Sequence, residues 1–254
     1  MPRPVQLPEP RLGAGSGLRA FAGGIAFVIS TPGVWGYALV PAAMMLVLAC
    51  GLGGLGVWGA VKLGGGIGPE PNGILGGAGL FVIDLLLIVS ALLLALVLSV
   101  GLAQPLSSLA LFAIVDAQQR ALTGITTPRP ELSASVMRTL AFMLLSFAVF
   151  VPLLAVLFVI GFVFPPAAVV TVPIKFVLCS WLMAWNFLDY PLCLRHTSLS
   201  ASLNWMARHL GAVTAFGAAW TLLAIVPPVV LLFLPMGVAG ATRLVIESEG
   251  ASLE

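Results

Sequence analysis

The 254-residue chain is 60% hydrophobic, only 8% of its residues are Asp, Glu, Lys or Arg, and its formal net charge is +2. Soluble domains average about 25% charged residues, so a water-soluble globular protein is excluded and the chain reads as an all-α integral membrane protein. So few charges also leave no surface for a nucleic-acid partner.

Residues 1–16, MPRPVQLPEPRLGAGS, are proline-rich, carry Arg3 and Arg11, and have no apolar core of the kind a cleaved signal peptide needs. They are expected to be a disordered tail, with one membrane domain over residues 17–246 and a short tail over 247–254. Gly17 to Ser30 places Leu18, Phe21, Ile25 and Val28 at helical spacing, which predicts an amphipathic helix at the membrane interface. Two long apolar stretches follow, at about 34–61 and 74–103, interrupted only by Asp84. Each exceeds the roughly 20 residues that cross about 30 Å of hydrocarbon, where only a helix or a closed barrel satisfies the backbone. Ala91, Ala95, Ser99 and Ala103 recur every four residues on the second span, and Gly51, Gly53, Gly54, Gly56 and Gly59 crowd the first. Such small residues let helices approach closely in lipid, either within one subunit or between subunits.

A second amphipathic stretch, Pro105 to Leu122, presents Leu106, Leu109, Phe112 and Val115 on one face. Beyond it, two segment pairs at about 138–190 and 212–245 each meet at a double proline, Pro165-Pro166 and Pro227-Pro228. Two consecutive prolines remove two backbone donors and restrict the residue before them, so a helix ends there and the chain can reverse. Each pair is therefore expected to be a helical hairpin. The second has arms too short to cross the bilayer and is expected to enter and leave on one face. In the first, Pro152 and Pro173 are expected to shorten the uninterrupted helix, so that its arms either span or penetrate part way. The connection after Leu194 carries a helix start at Ser198 or Ser200, then Trp205, Arg208 and His209. With a cytoplasmic N-terminus and hairpins that return to their own side, the arginines gather at the cytoplasmic face, while Lys62 lies outside.

Gly17-Leu18-Arg19, then Pro32, Trp35 and Tyr37 to Pro41, then Leu188-Asp189-Tyr190-Pro191-Leu192, and finally Pro235 with Gly240-Ala241-Thr242, resemble the CysZ sulfate-permease family. That family shares a domain with the eukaryotic etoposide-induced membrane proteins. The resemblance covers about residues 15–246. It implies a bacterial inner-membrane transporter that supplies sulfate for sulfur assimilation and cysteine synthesis, built from two full spans and two part-way hairpins. It also implies an anion site at Gly17, Leu18 and Arg19, where free amides at a helix start, the helix dipole and a guanidinium suit a tetrahedral dianion. The family often has a second basic residue after this arginine; here that position is Ala20.

Arg19 is thus either an anion ligand or a topology determinant that contacts lipid phosphate. Asp189 either pairs with Arg195 or Arg138 or joins a polar core that ions traverse. Asp84 is costly in lipid, so it should face protein or a wet cavity and hold an arginine or carry a proton. Lys175 is either a buried anion contact or a snorkelling side chain. Cys50, Cys179, Cys193, His196 and His209 form no metal pattern, and no catalytic constellation or phosphate-binding loop appears, so no cofactor, metal or enzymatic activity is expected. The expected function is uptake of sulfate or a related oxyanion by a homo-oligomer in the lipid bilayer. The alternatives are a membrane-organising scaffold without transport, or a channel for another small anion.

Overall fold

The structure, a computed structural model, describes residues 12–67, 74–126, 132–195, 198–224 and 230–250. Every regular element among them is helical: α1 (Ala14–Ser30), α2 (Trp35–Ile67), α3 (Ile74–Leu106), α4 (Ser108–Thr123), α5 (Leu132–Val163), α6 (Ala168–Leu194), α7 (Leu199–Arg208), α8 (Leu210–Leu223) and α9 (Val230–Ser248). Four stretches among the described residues are long and apolar enough to cross a membrane: Pro32–Leu63, Gly79–Ala103, Leu140–Val163 and Pro165–Leu194. The chain divides into two units, Val40–Ser107 and the remainder.

In the Val40–Ser107 unit, α2 and α3 each run for 33 residues, about 50 Å of helix against about 30 Å of hydrocarbon. Gly56 faces Ala91 and Gly53 faces Leu92, an antiparallel register that puts Lys62 near the level of Asp84. Ala95, Ser99 and Ala103 are buried, so the small-residue stripe of α3 packs inside this chain. Gly51, Gly54 and Gly59 face open space instead. Ser99 donates its hydroxyl to the Ala95 carbonyl at 2.6 Å, which satisfies a polar group where lipid offers none.

The other unit holds α1 and α4 to α9. α5 and α6 reverse at a 3-10 turn over Pro165–Ala167, as the double proline predicts. Pro152 and Pro173 do not shorten the arms: both lie inside continuous helix, as does Pro191, so α6 passes the expected end near Asp189 and runs to Leu194. A proline costs one hydrogen bond and a local clash, and an apolar segment in lipid has no alternative to helix. The tip is bare and apolar, with Phe162, Val163, Phe164, Val169 and Val170 all exposed.

The Pro227-Pro228 tip of the second hairpin lies outside the described residues. Its arms, α8 and α9, do not pack mainly on each other; α8 lies on α1 and α6, and α9 on α1, α4 and α6. α8 has 14 residues, about 21 Å of helix and short of a crossing.

The packed face of α1 departs from the sequence expectation. Its buried residues are Ser16, Gly17, Ala20, Gly24 and Val28, while Leu18 is exposed and Phe21 and Ile25 are only partly buried. Against apolar surroundings the larger side chains gain nothing by burial, so the small ones set the contact. A methyl on Gly17 would strike the Ala212 carbonyl, and one on Gly24 the backbone of Met236 and Gly240. The α1–α9 and α1–α8 crossings are thus backbone against backbone. Trp220, fully buried, closes this core against Phe21 at 4.8 Å and Phe187 at 5.5 Å between ring centroids. α4 is likewise a core element: Leu111 to Asp116 are all buried, although Leu106 and Leu109 of the predicted face are exposed. α7 starts where predicted, with the Ser198 hydroxyl accepting the Ala201 amide at 3.3 Å.

Candidate functional site

Hydrogen bonds converge on the last turn of α9. The Glu247 carboxylate Oε1 accepts from the Ser16 hydroxyl at 2.8 Å and from the Arg19 guanidinium at 2.8 Å, and Arg19 also donates to the Ser16 oxygen at 3.1 Å. Ser248 accepts from the Trp205 indole at 3.1 Å. Glu249 takes a two-point contact from Arg195, whose Nη1 donates to the Pro191 carbonyl at 3.1 Å. Residues expected to form a tail from 247 therefore tie α1, α6 and α7 together.

The Gly17-Leu18-Arg19 motif divides by role. Gly17 is buried against α8, and Leu18 is exposed. Arg19 points to Glu247, with its side chain 68% exposed against 17% for the carboxylate. α1 begins at Ala14 with Gly13 as a cap that makes no side-chain bond, so Arg19 stands more than a turn inside the helix. Ser16, 7% exposed, completes the cluster. Neither Ser16 nor Glu247 carries a spacing signal; two acids, Glu247 and Glu249, at the end of the last apolar segment are the trace of the cluster in the sequence.

The remaining candidates are scattered. Asp189 is buried beside Tyr190, whose ring meets Phe112 edge-on at 5.5 Å. Arg195, one of its two expected partners, is held by Glu249 instead, and the side chain of Arg138 lies outside the described part. Lys175 is on the same helix but 14 residues away by number (189 − 175), about 21 Å, with its ammonium 5.5 Å from the Phe158 ring centroid. These two residues do not form one polar core. Asp84 is exposed on α3 in the other unit. Among the remaining polar groups, Asp116 and Arg120 pair at 2.8 Å along α4, and His209 is buried under Trp205 at 4.6 Å. His196 lies outside the described residues. An open cavity of about 510 Å³ beside the start of α1 is lined by Ala14, Trp181, Leu210, Gly211, Thr214, Ala215 and Ala218. Its one hydroxyl, on Thr214, accepts from the Trp181 indole at 2.8 Å, and no charged side chain lines the cavity among the described residues.

A multi-pass, all-α membrane protein with one charged cluster where its first and last described helices meet is the class these features define. The chain belongs to the family described as Sulfate transporter CysZ/Etoposide-induced protein 2.4, whose match extends over residues 20–235. That match begins one residue after Arg19 and ends before Glu247. Among its relatives, the sulfate transporter CysZ of Pseudomonas fluorescens (strain SBW25) is 32% identical over 121 residues, 48% of this chain and 47% of the relative. The sulfate transporter CysZ of Pseudomonas aeruginosa (strain LESB58) is 32% identical over 120 residues, 47% of this chain and 48% of the relative. That of Pseudomonas syringae pv. tomato is 30% identical over 121 residues, 48% of this chain and 47% of the relative. The chain thus spans about half the length of the curated relatives it matches.

Proposed function

We propose that the protein is an anion permease that carries sulfate or a related oxyanion inward across the bacterial inner membrane, supplying sulfur assimilation, and that it is a transporter rather than an enzyme. The observation that carries this reading is the Ser16–Arg19–Glu247 cluster: in an apolar bundle, a hydroxyl and a guanidinium already grip a planar oxyanion, the carboxylate of Glu247. A sulfate oxygen accepts the same two hydrogen bonds, and its second charge gains more from the arginine. Gly17 contributes by letting α1 sit against α8 so that Arg19 is held at a fixed height.

The working unit is a homo-oligomer with its N-terminus in the cytoplasm. Asp84 is exposed near the end of its span, level with Lys62, where that ammonium or water serves as the neighbour an ionisable side chain requires. The clustering of arginines supports the orientation. Asp84 holds a cationic neighbour or carries a proton within its own unit, Asp189 positions the polar path within the other, and Lys175 rests on Phe158 and leads its ammonium toward the interface.

The test is uptake of labelled sulfate into proteoliposomes, with thiosulfate, phosphate and chloride as competitors. Saturable uptake that Arg19→Ala abolishes, in protein that remains folded, is the expected result. Absence of flux in the wild type favours the membrane-organising alternative; uptake competed equally by chloride favours an unselective anion channel.

A further inference from the structure

The seam between α1 and α9 carries a second arginine. The two helices run antiparallel, with Ser16 and Arg19 opposite Glu247 and Gly24 against Gly240 and Met236. One turn along the seam, Gly23 faces Arg243, whose Cδ, Nε and Nη1 fill the space a side chain on Gly23 would occupy. Gly23 is four residues from Arg19 on α1, and Arg243 four from Glu247 on α9, so Arg243 lies on the same seam, seven residues or about 10 Å along the axis from the Ser16 contact. The Nε–H of Arg243 is buried and has no hydrogen-bond partner. A buried N–H left unpaired is costly, and Arg243, itself half-buried, stands one turn along α9 from the carboxylate that Arg19 holds.

We infer that Ser16 and Arg19 form the seat for a divalent oxyanion, that Arg243 farther along the same seam supplies its second positive charge, that Glu247 fills this seat when no anion is bound, and that displacement of the Glu247 carboxylate selects dianions over chloride. The inference rests on the permease reading of Arg19 and adds to it the second cation and the internal competitor. Charge supplies the selectivity. Two guanidinium groups and one carboxylate leave a single net positive charge. A monoanion offers no more charge than the tethered carboxylate already in place and does not displace it. A dianion brings twice the charge to two arginines and releases Glu247 toward water, the side on which Arg19 is already exposed. Arg243 also supplies, from the far end of the chain, the second positive charge that Ala20 does not provide next to Arg19.

The experiment is sulfate titration of the purified full-length protein in detergent, at constant ionic strength, with and without excess chloride. Arg243→Gln is expected to weaken sulfate binding by about tenfold, the scale of one unit charge about 10 Å away at an effective dielectric of roughly 20. Glu247→Gln, which keeps the shape and removes the charge, is expected to tighten sulfate binding by about two- to fivefold, the scale of a partly exposed ion pair. In that variant chloride becomes an effective competitor, which it is not in the wild type. Sulfate affinity unchanged in Arg243→Gln, or weakened in Glu247→Gln, overturns the inference. Glu247→Gln is isosteric and carries the test alone if Arg243→Gln does not yield folded protein. Arg19→Ala separates the two levels. If it leaves sulfate binding intact, the anion site itself is refuted; if it abolishes binding while the other two variants are silent, only the two-arginine seat falls.

Discussion

Gly17 lies inside the motif that the family resemblance associates with anion binding, yet its surroundings assign it to packing. A Cβ there would sit 2.9 Å from the Phe216 amide nitrogen and closer still to the Ala212 carbonyl, both backbone atoms that cannot turn aside. Gly17→Ala therefore forces α1 and α8 apart. Overpacking of this kind costs about 1–3 kcal/mol, while replacing a helical glycine with alanine returns about 0.5–1 kcal/mol. The expected net loss is about 1–2 kcal/mol, or about 2–8 °C in melting temperature for a chain of this size. Gly15→Ala, two residues earlier on the same helix and with nothing within 4 Å of the added methyl, is the control and should be neutral or slightly stabilising. Thermal unfolding in detergent, followed by tryptophan fluorescence, measures both, and sulfate titration of the surviving folded fraction shows whether Gly17 contacts the anion. If Gly17→Ala melts at or above the wild type, the backbone-to-backbone crossing is wrong. If it melts normally but loses sulfate binding, the glycine belongs to the anion site rather than to the packing.

Trp220→Ala removes a fully buried ring that touches Phe21, Phe187 and Phe216 and should cost about 3–5 kcal/mol; a loss under about 1 kcal/mol in the same melting assay contradicts the described core. Phe164→Asp places a charge at the exposed apolar tip of the α5–α6 hairpin; a tip resting in hydrocarbon makes this cost up to about 2.5–3.5 kcal/mol, the value for a charge at the bilayer centre, so the yield of membrane-integrated protein should fall. Ile125→Asp, in an exposed connection, should not reduce it, and equal yields would place the tip in water. Arg195→Ala cuts the contact with Glu249, but that pair is partly exposed, so the loss should stay under about 1 kcal/mol and sulfate affinity should hold. Asp84→Asn should leave the dependence of uptake on external pH unaltered if the carboxylate only positions neighbours; a shifted profile identifies it as a proton carrier.

Much of the architecture is visible in one dimension because lipid simplifies the rules. A charge-free run of 20 or more residues has to become a helix whatever surrounds it, and α2, α3, α5 and α6 appear near their expected places. The reversal at Pro165-Pro166 and the Ser198 cap follow from local stereochemistry, which needs no knowledge of the fold. Asp84 and Lys175 stood out as charges inside apolar segments and Asp189 as one at the end of an arm, while Arg19 stood out through the resemblance of Gly17-Leu18-Arg19 to a family motif.

Other features rest on distant neighbours. Gly17, Ala20 and Gly24 form the contact face of α1 because α8 and α9 bring backbone to them; counting hydrophobic residues selects Leu18, Phe21 and Ile25 instead, a rule suited to water rather than to an apolar bundle. Prolines 152, 173 and 191 look like helix ends in a string of letters and are absorbed in the folded chain. The partners of Arg19 and Gly23, Glu247 and Arg243, are more than 200 positions away in the sequence, and no spacing rule links them. Composition and periodicity set which segments become helices, because hydration and backbone hydrogen bonding act on each segment separately. Which helices touch, and hence which charges meet, was decided only when α9 packed against α1, since Coulomb forces and hydrogen bonds depend on distance in space.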